Sequence, residues 1–231
     1  MLNLAMLPYM LVVSVNFIVF PLISRSTFLN DKEATQTYIS QSMRITLLLT
    51  LLAESVPFSS PEQSLAFLYW TKPEFGDFPL AMMMLAVGYT AFTVFSVATT
   101  VINSSGRPGI SLANGAMVLA VQVALAYALI PSMGLEGAAT ATAISFTLGT
   151  AALGSYLYLT HGAFIPKLTV IRGLVAAAVS YGVGQVLNIG GFMFLAEAIL
   201  SAIAFIIALI VTGEISKADL AKVMKIVRRR G

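Results

Sequence analysis

Apolar runs of about twenty residues recur along the whole chain, divided by short polar connections, and they constrain its fold more than any other feature. A helix needs roughly 20 mostly apolar residues to cross the hydrocarbon of a bilayer. Seven segments meet that need, over residues 2–23, 37–58, 79–103, 110–130, 135–159, 168–187 and 192–212. The sequence therefore predicts an all-α integral membrane protein with about seven transmembrane helices. Composition points the same way. Hydrophobic types make up 58% of the chain and charged types 10%, against roughly 25% charged residues in a soluble domain. So little charge cannot cover a water-facing surface. The first run lacks a preceding basic region and a following small-residue cleavage site, so it is not read as a signal peptide.

The connections carry the second pattern. Arg25, Lys32, Arg44, Arg107, Lys167, Arg172 and the six basic residues of the tail fall on one side of a seven-helix arrangement. Lys72 alone falls on the other, beside Glu62, Glu74 and Asp77. Lys and Arg are enriched on cytoplasmic loops. The C-terminus is therefore expected in the cytoplasm, in a multi-pass protein of the cell (plasma) membrane. Trp70 and Tyr69 fit an outer interfacial belt. Seven spans with the tail inside place Met1 outside, which leads to the expectation of an odd number of helices upstream. Residues 214–231 read as a cytoplasmic amphipathic basic tail. Ser216 and Asp219 form a capping-box pattern. Leu220, Val223, Met224 and Val227 follow at helical spacing, ending in Arg228, Arg229 and Arg230. Such a segment either recognises anionic lipid or anchors topology. Membrane lipid, not nucleic acid, is the expected acidic partner. Helix-end signals are a capping box at Asn30 and Glu33, Pro79 in a first turn, Pro131 as a stop and Gly213 as a terminator.

Polar residues inside the spans are the candidates for function. Tyr89, Thr93, Ser96, Thr100 and Asn103 lie on one face of the third span. A polar face in hydrocarbon must meet water or another helix. It either lines a hydrophilic cavity or bonds a neighbour. In the fifth span Ala138, Thr142, Ser145, Gly149, Ala152 and Tyr156 form a small-residue packing seam. Asn16, Asn114 and Gln122 are membrane amides able to bond a sugar-like ligand or a helix. Arg44, Glu54 and Glu197 are expected close enough to an interface to stay hydrated. No nucleophile, acid–base pair or phosphate loop appears, so the chain is not read as an enzyme. With no cysteine and a single histidine, His161, no metal site or cofactor is expected.

Several motifs then converge. The first span ends Phe20-Pro21-Leu22-Ile23-Ser24-Arg25 and the third Ile102-Asn103-Ser104-Ser105-Gly106-Arg107-Pro108. The turn after the fourth reads Leu129-Ile130-Pro131-Ser132-Met133-Gly134-Leu135-Glu136-Gly137-Ala138-Ala139, and the last span runs into Thr212-Gly213-Glu214-Ile215-Ser216. In order and spacing these resemble the C-terminal half of polysaccharide flippases, of the multidrug, oligosaccharidyl-lipid and polysaccharide exporter superfamily. The resemblance implies a fourteen-helix protein whose first seven helices form a missing N-terminal half. The first five spans here would complete the second lobe and the last two would be the final pair. It implies translocation of a polyprenyl-linked oligosaccharide by alternating access, with the substrate between the lobes. Arg25 and Arg44 would meet the anionic head, and the stripe of the third span would form a cavity wall. The alternatives are a multidrug or peptidoglycan-precursor exporter of the same superfamily, or a seven-helix receptor. A retinal receptor would need a lysine in its last span, and residues 192–212 contain none. A membrane enzyme would need acids or histidines gathered at one face.

Overall fold

Prolines open four of the helices, where a missing N–H costs nothing and φ is already set for the helix. The computed structural model describes residues 6–69, 78–187 and 194–215. Within them seven helices follow in order: α1 Leu7–Phe28, α2 Lys32–Ser59, α3 Pro61–Leu68, α4 Pro79–Ser104, α5 Pro108–His161, α6 Lys167–Leu187 and α7 Phe194–Val211. Pro8, Pro61, Pro79 and Pro108 stand in first turns. The all-helical membrane architecture expected from the sequence is the one observed. Trp70, Lys72, the connection through Asp77 and the basic tail from Ser216 onward lie outside the described residues.

Five helices, α1 and α4 to α7, are long and apolar enough to cross a membrane. One of them, α5, is a hairpin of two limbs. Gly134 at its apex has φ 56° and ψ −125°, a combination that a Cβ disfavours. Asn114 then meets Gly149 and Gln122 meets Thr142 across the two limbs. This corrects the expectation that Pro131 stops the fourth span. Pro131 is taken up inside the helix, and the chain reverses three residues later where glycine permits it.

α2 is the central element and is less apolar than the other long helices because, apart from an exposed strip at Ile45 and Leu49, its middle turns inward. Packed by α1, α4, α6 and α7, it buries Thr35, Ser42, Thr46, Thr50, Glu54, Ser55 and Ser59. Several of these hydroxyls donate to carbonyls one turn back, as Ser42 does to Tyr38, at 2.7 Å, and Thr50 to Thr46, at 2.8 Å. That local bond satisfies a polar group in a dry interior. The N-cap of α2 is Asp31, which accepts from the Ala34 N–H at 3.0 Å. Asn30, the expected cap, instead takes a left-handed φ of 55° in the turn before it.

The main core joins Val12, Val19 and Ile23 of α1, Ile39 and Met43 of α2, Val94 and Val101 of α4, and Leu153 and Leu157 of α5. A second cluster ties Ala176 of α6 to Phe205, Ala208 and Leu209 of α7, against Leu48 and Leu51 of α2. α4 and the second limb of α5 run side by side in the same direction. Gly88 lies against Ala143, the Phe92 and Phe146 rings meet at 4.8 Å, and Thr150 donates to the Ala91 carbonyl at 2.8 Å. On the outside, Phe17 is 77% exposed, Leu112 76% and Val211 80%, a surface suited to hydrocarbon.

Candidate functional site

The third-span stripe lies on α4, and part of it faces α1. Asn16 of α1 donates to Ser96 at 3.4 Å, and the tilted rings of Tyr9 and Phe92 meet at 4.9 Å. Thr93 is buried and donates to the Tyr89 carbonyl at 2.7 Å, and Thr100 does the same to Ser96 at 3.1 Å. Tyr89 is half-buried, its ring edge-on to Phe92 at 5.8 Å. Asn103 is exposed at the end of α4 and accepts from Ser111 at the start of α5. Hydrogen bonds to α1 and to its own backbone thus occupy much of the stripe. Tyr89, Ser96 and Thr100 remain partly open.

The other two amides clasp the α5 hairpin. Asn114 donates to the Gly149 carbonyl and Gln122 to the Thr142 hydroxyl, both at 3.0 Å. Amide bonds of this kind hold helices together in a bilayer. The seam on the second limb packs as expected, with Ser145 and Gly149 buried, except that Ala152 is exposed.

The two arginines are placed differently. Arg25 is exposed in the last turn of α1. Arg44 reaches the segment after α7, where its Nε donates to Glu214 Oε1 at 2.6 Å and its Nη2 donates to the Glu214 carbonyl. Glu214 is buried and also accepts from Thr169, at 2.7 Å, and from Arg172, at 3.2 Å. Sequence reasoning missed this cluster. Its signal was an acid placed just after the glycine that ends α7, on the side where Arg44 and Arg172 also lie.

Glu54 departs most from expectation. The sequence places it near an interface and hydrated. In the structure it is 3% exposed, and neither carboxyl oxygen has a hydrogen-bond partner among the described residues. It borders a cavity of about 350 Å³ between α2, α4, α5 and α6, lined among others by Leu47, Leu51, Val94, Thr150 and Leu174. Glu197 is likewise buried rather than hydrated, and accepts from Ser60 just beyond α2. A second, polar cavity of about 410 Å³ lies at the end of the bundle that carries Arg25, lined by Thr27, Asp31, Lys32, Gln36 and His161. Among the described residues no three His, Cys, Asp or Glu side chains gather to hold a metal ion.

A helical membrane bundle with polar groups along inner faces fits many transporters, and comparison with known proteins narrows it. The sequence profile of the lipid II flippase MurJ family matches residues 3–213. The chain belongs to the lipid II flippase MurJ family. Among solved structures, one described as "Lipid II flippase MurJ, inward closed conformation" superimposes with a TM-score of 0.73 at 17% identity, over 88% of this chain. The chain spans 43% of the length of that structure. Comparison with curated proteins returned no match.

MurJ-family membership makes this a multi-pass membrane protein of a transporter family, not of an enzyme family. It favours the peptidoglycan-precursor alternative over the polysaccharide reading. The motifs behind that reading, glycines and prolines at helix ends, report the shared scaffold of the superfamily and not its cargo.

Proposed function

We propose that this chain is part of a flippase that moves lipid II, a lipid-linked peptidoglycan precursor, across the cell membrane by alternating access. The observation that carries the reading is the family match over residues 3–213. The chain would supply five helices of one lobe and a final helix pair, with its C-terminus in the cytoplasm. A first lobe beyond these residues would complete the cavity. Arg25, exposed where α1 ends, is the cation best placed to meet the anionic head of the substrate. Tyr89, Ser96 and Thr100 of α4, with Asn16 and Asn103, form the polar wall on this side. Thr93, Asn114, Gln122 and Arg44 support that wall through the contacts they make within the bundle.

The test is translocation of labelled lipid II by the whole protein in liposomes, read as the fraction reaching the opposite leaflet. Lipid II should cross, and excess lipid-linked polysaccharide repeat unit should not compete. Arg25→Ala should slow transport by about tenfold, the worth of one charge-assisted hydrogen bond, without reducing membrane insertion. Transport of the polysaccharide unit and not of lipid II would refute the cargo. An Arg25→Ala variant at wild-type rate would refute the role of that residue.

A further inference from the structure

Glu54 stands deep within the bundle, and among the described residues no charge or hydrogen bond neutralises it. Helix pairing gives its depth. Ser59 lies against Gly184 and accepts from Gln185, while Leu48 and Leu51 lie against Gly173. Glu54 falls between those contacts, level with the middle of α6. The cavity beside it offers no cation. The hydroxyls of Ser55, Thr147 and Thr150 on its wall already donate to the carbonyls of Leu52, Ala143 and Ala91.

Charged and titratable groups on the surrounding elements are engaged or remote. Among the residues bordering the cavity from α4, α5 and α6, none titrates. Tyr89 of α4 is half-buried, with its ring edge-on to Phe92. Arg44 is ten residues back along α2, about 15 Å of helix, and is bound to Glu214. Glu197 of α7 accepts from Ser60 beyond the far end of α2. Glu62 of α3 and Arg25 of α1 are exposed. Burying an unpaired carboxylate is far costlier than burying the neutral acid.

We propose that Glu54 is a membrane-buried proton-binding site, occupied in this conformation and emptied during the transport cycle when water enters the adjoining cavity. The emptying rests on the flippase reading; the occupied site does not. In the step, the carboxyl O–H bond breaks, the proton passes to an entering water molecule, and the carboxylate left behind is hydrated in the opened cavity. A cavity of about 350 Å³ has room for several waters, since each takes about 30 Å³ in the liquid. Return of a proton restores the neutral acid in its apolar surroundings.

Two measurements on the whole protein in liposomes test this. Dicyclohexylcarbodiimide adds to a protonated carboxyl in apolar surroundings to give a stable acylurea, with no leaving group. At about pH 7.5, well above the ordinary carboxyl range, mass spectrometry should find the adduct on Glu54 and not on exposed Glu33 or Glu62. It should be missing in Glu54→Gln. An unlabelled Glu54 in the wild-type protein overturns the proposal and requires no variant to fold. The second measurement is the lipid II translocation rate between about pH 6 and 8.5. The wild-type rate should change by about threefold or more, and Glu54→Gln should flatten the profile. A flat wild-type profile, or a variant that retains the wild-type profile, overturns the emptying step. Failure of the wild-type protein to move lipid II at any pH refutes the flippase reading, while the labelling result still decides the proton site.

Discussion

Three side chains converge on Glu214, and the balance of forces there sets a pH dependence. Burial alone raises the carboxyl's affinity for a proton. Hydrogen bonds from Thr169, Arg44 and Arg172, with the Arg44 charge, outweigh that and hold it below its ordinary value of 4.5. A carboxyl depressed in the folded state binds fewer protons folded than unfolded. Its contribution is therefore present above the ordinary value and is lost as pH falls through the depressed one. Thermal unfolding in detergent should show a plateau through neutral pH and an acid limb below about pH 4.5. Glu214→Gln keeps a partner for Thr169 but leaves two half-buried arginines without their anion. It should cost about 1–3 kcal/mol at neutral pH and diminish the acid limb. An unchanged acid limb in that variant would show that other carboxyls govern it. Sequence could place Arg44 at the right end of its helix. It could not show that Glu214, 170 residues further along the chain, answers it, since no local periodicity links them.

At the scale of elements, what was legible is what helical period encodes. The small-residue seam of α5 and the stripe of α4 each map onto one face because 3.6 residues make a turn. Which neighbour each face meets depends on tertiary pairing, as between Asn16 and Ser96, 80 residues apart. Among the described residues α2 is the one long helix that is not apolar enough by itself to mark a span, for a physical reason. Hydropathy reports contact with lipid, and a helix wrapped by four others need not be apolar. The α5 hairpin gives the sharpest test of an element. Gly134 holds a backbone conformation closed to L side chains, and a Cβ at Gly137 would stand 2.6 Å from the Leu129 carbonyl oxygen. Gly134→Ala should cost about 1–3 kcal/mol through backbone strain. Gly137→Val should cost at least as much, because the clash is with backbone and no side chain can move aside. Both are checked by thermal unfolding, with Gly109→Ala as control, since a Cβ there meets nothing within 4 Å. A control as damaging as the hairpin variants would remove the turn as the cause.

The molecule as a whole is organised by an asymmetry that physics imposes and sequence displays. Lys and Arg are concentrated in the cytoplasmic loops of such proteins, and the helices count off the loops between them. In the structure Arg107 of the α4–α5 turn donates to Tyr156 near the end of the second α5 limb, at 2.6 Å. Gln36, near the start of α2, donates to the His161 carbonyl at 2.7 Å. The ends of α1, α4 and α5 and the starts of α2 and α6 therefore gather on one face. Glu62 and the apex of α5 at Gly134 belong to the other. Because the chain has no cysteine, single replacements report position without background. Cysteines placed at Gly109 and Lys167 should react with a membrane-impermeant maleimide only after the cytoplasmic side is exposed. Cysteines at Glu62 and Ser132 should react in intact cells. The comparison within α5 is decisive, because residues 109 and 132 lie on a single helix of 54 residues. If both reacted from the same side, α5 would not be a membrane-crossing hairpin, and the packing of Gly88 on Ala143 would have to form in some other topology. Opposite reactivity fixes both limbs across the bilayer, and with them the cytoplasmic position of the Arg44, Arg172 and Glu214 cluster.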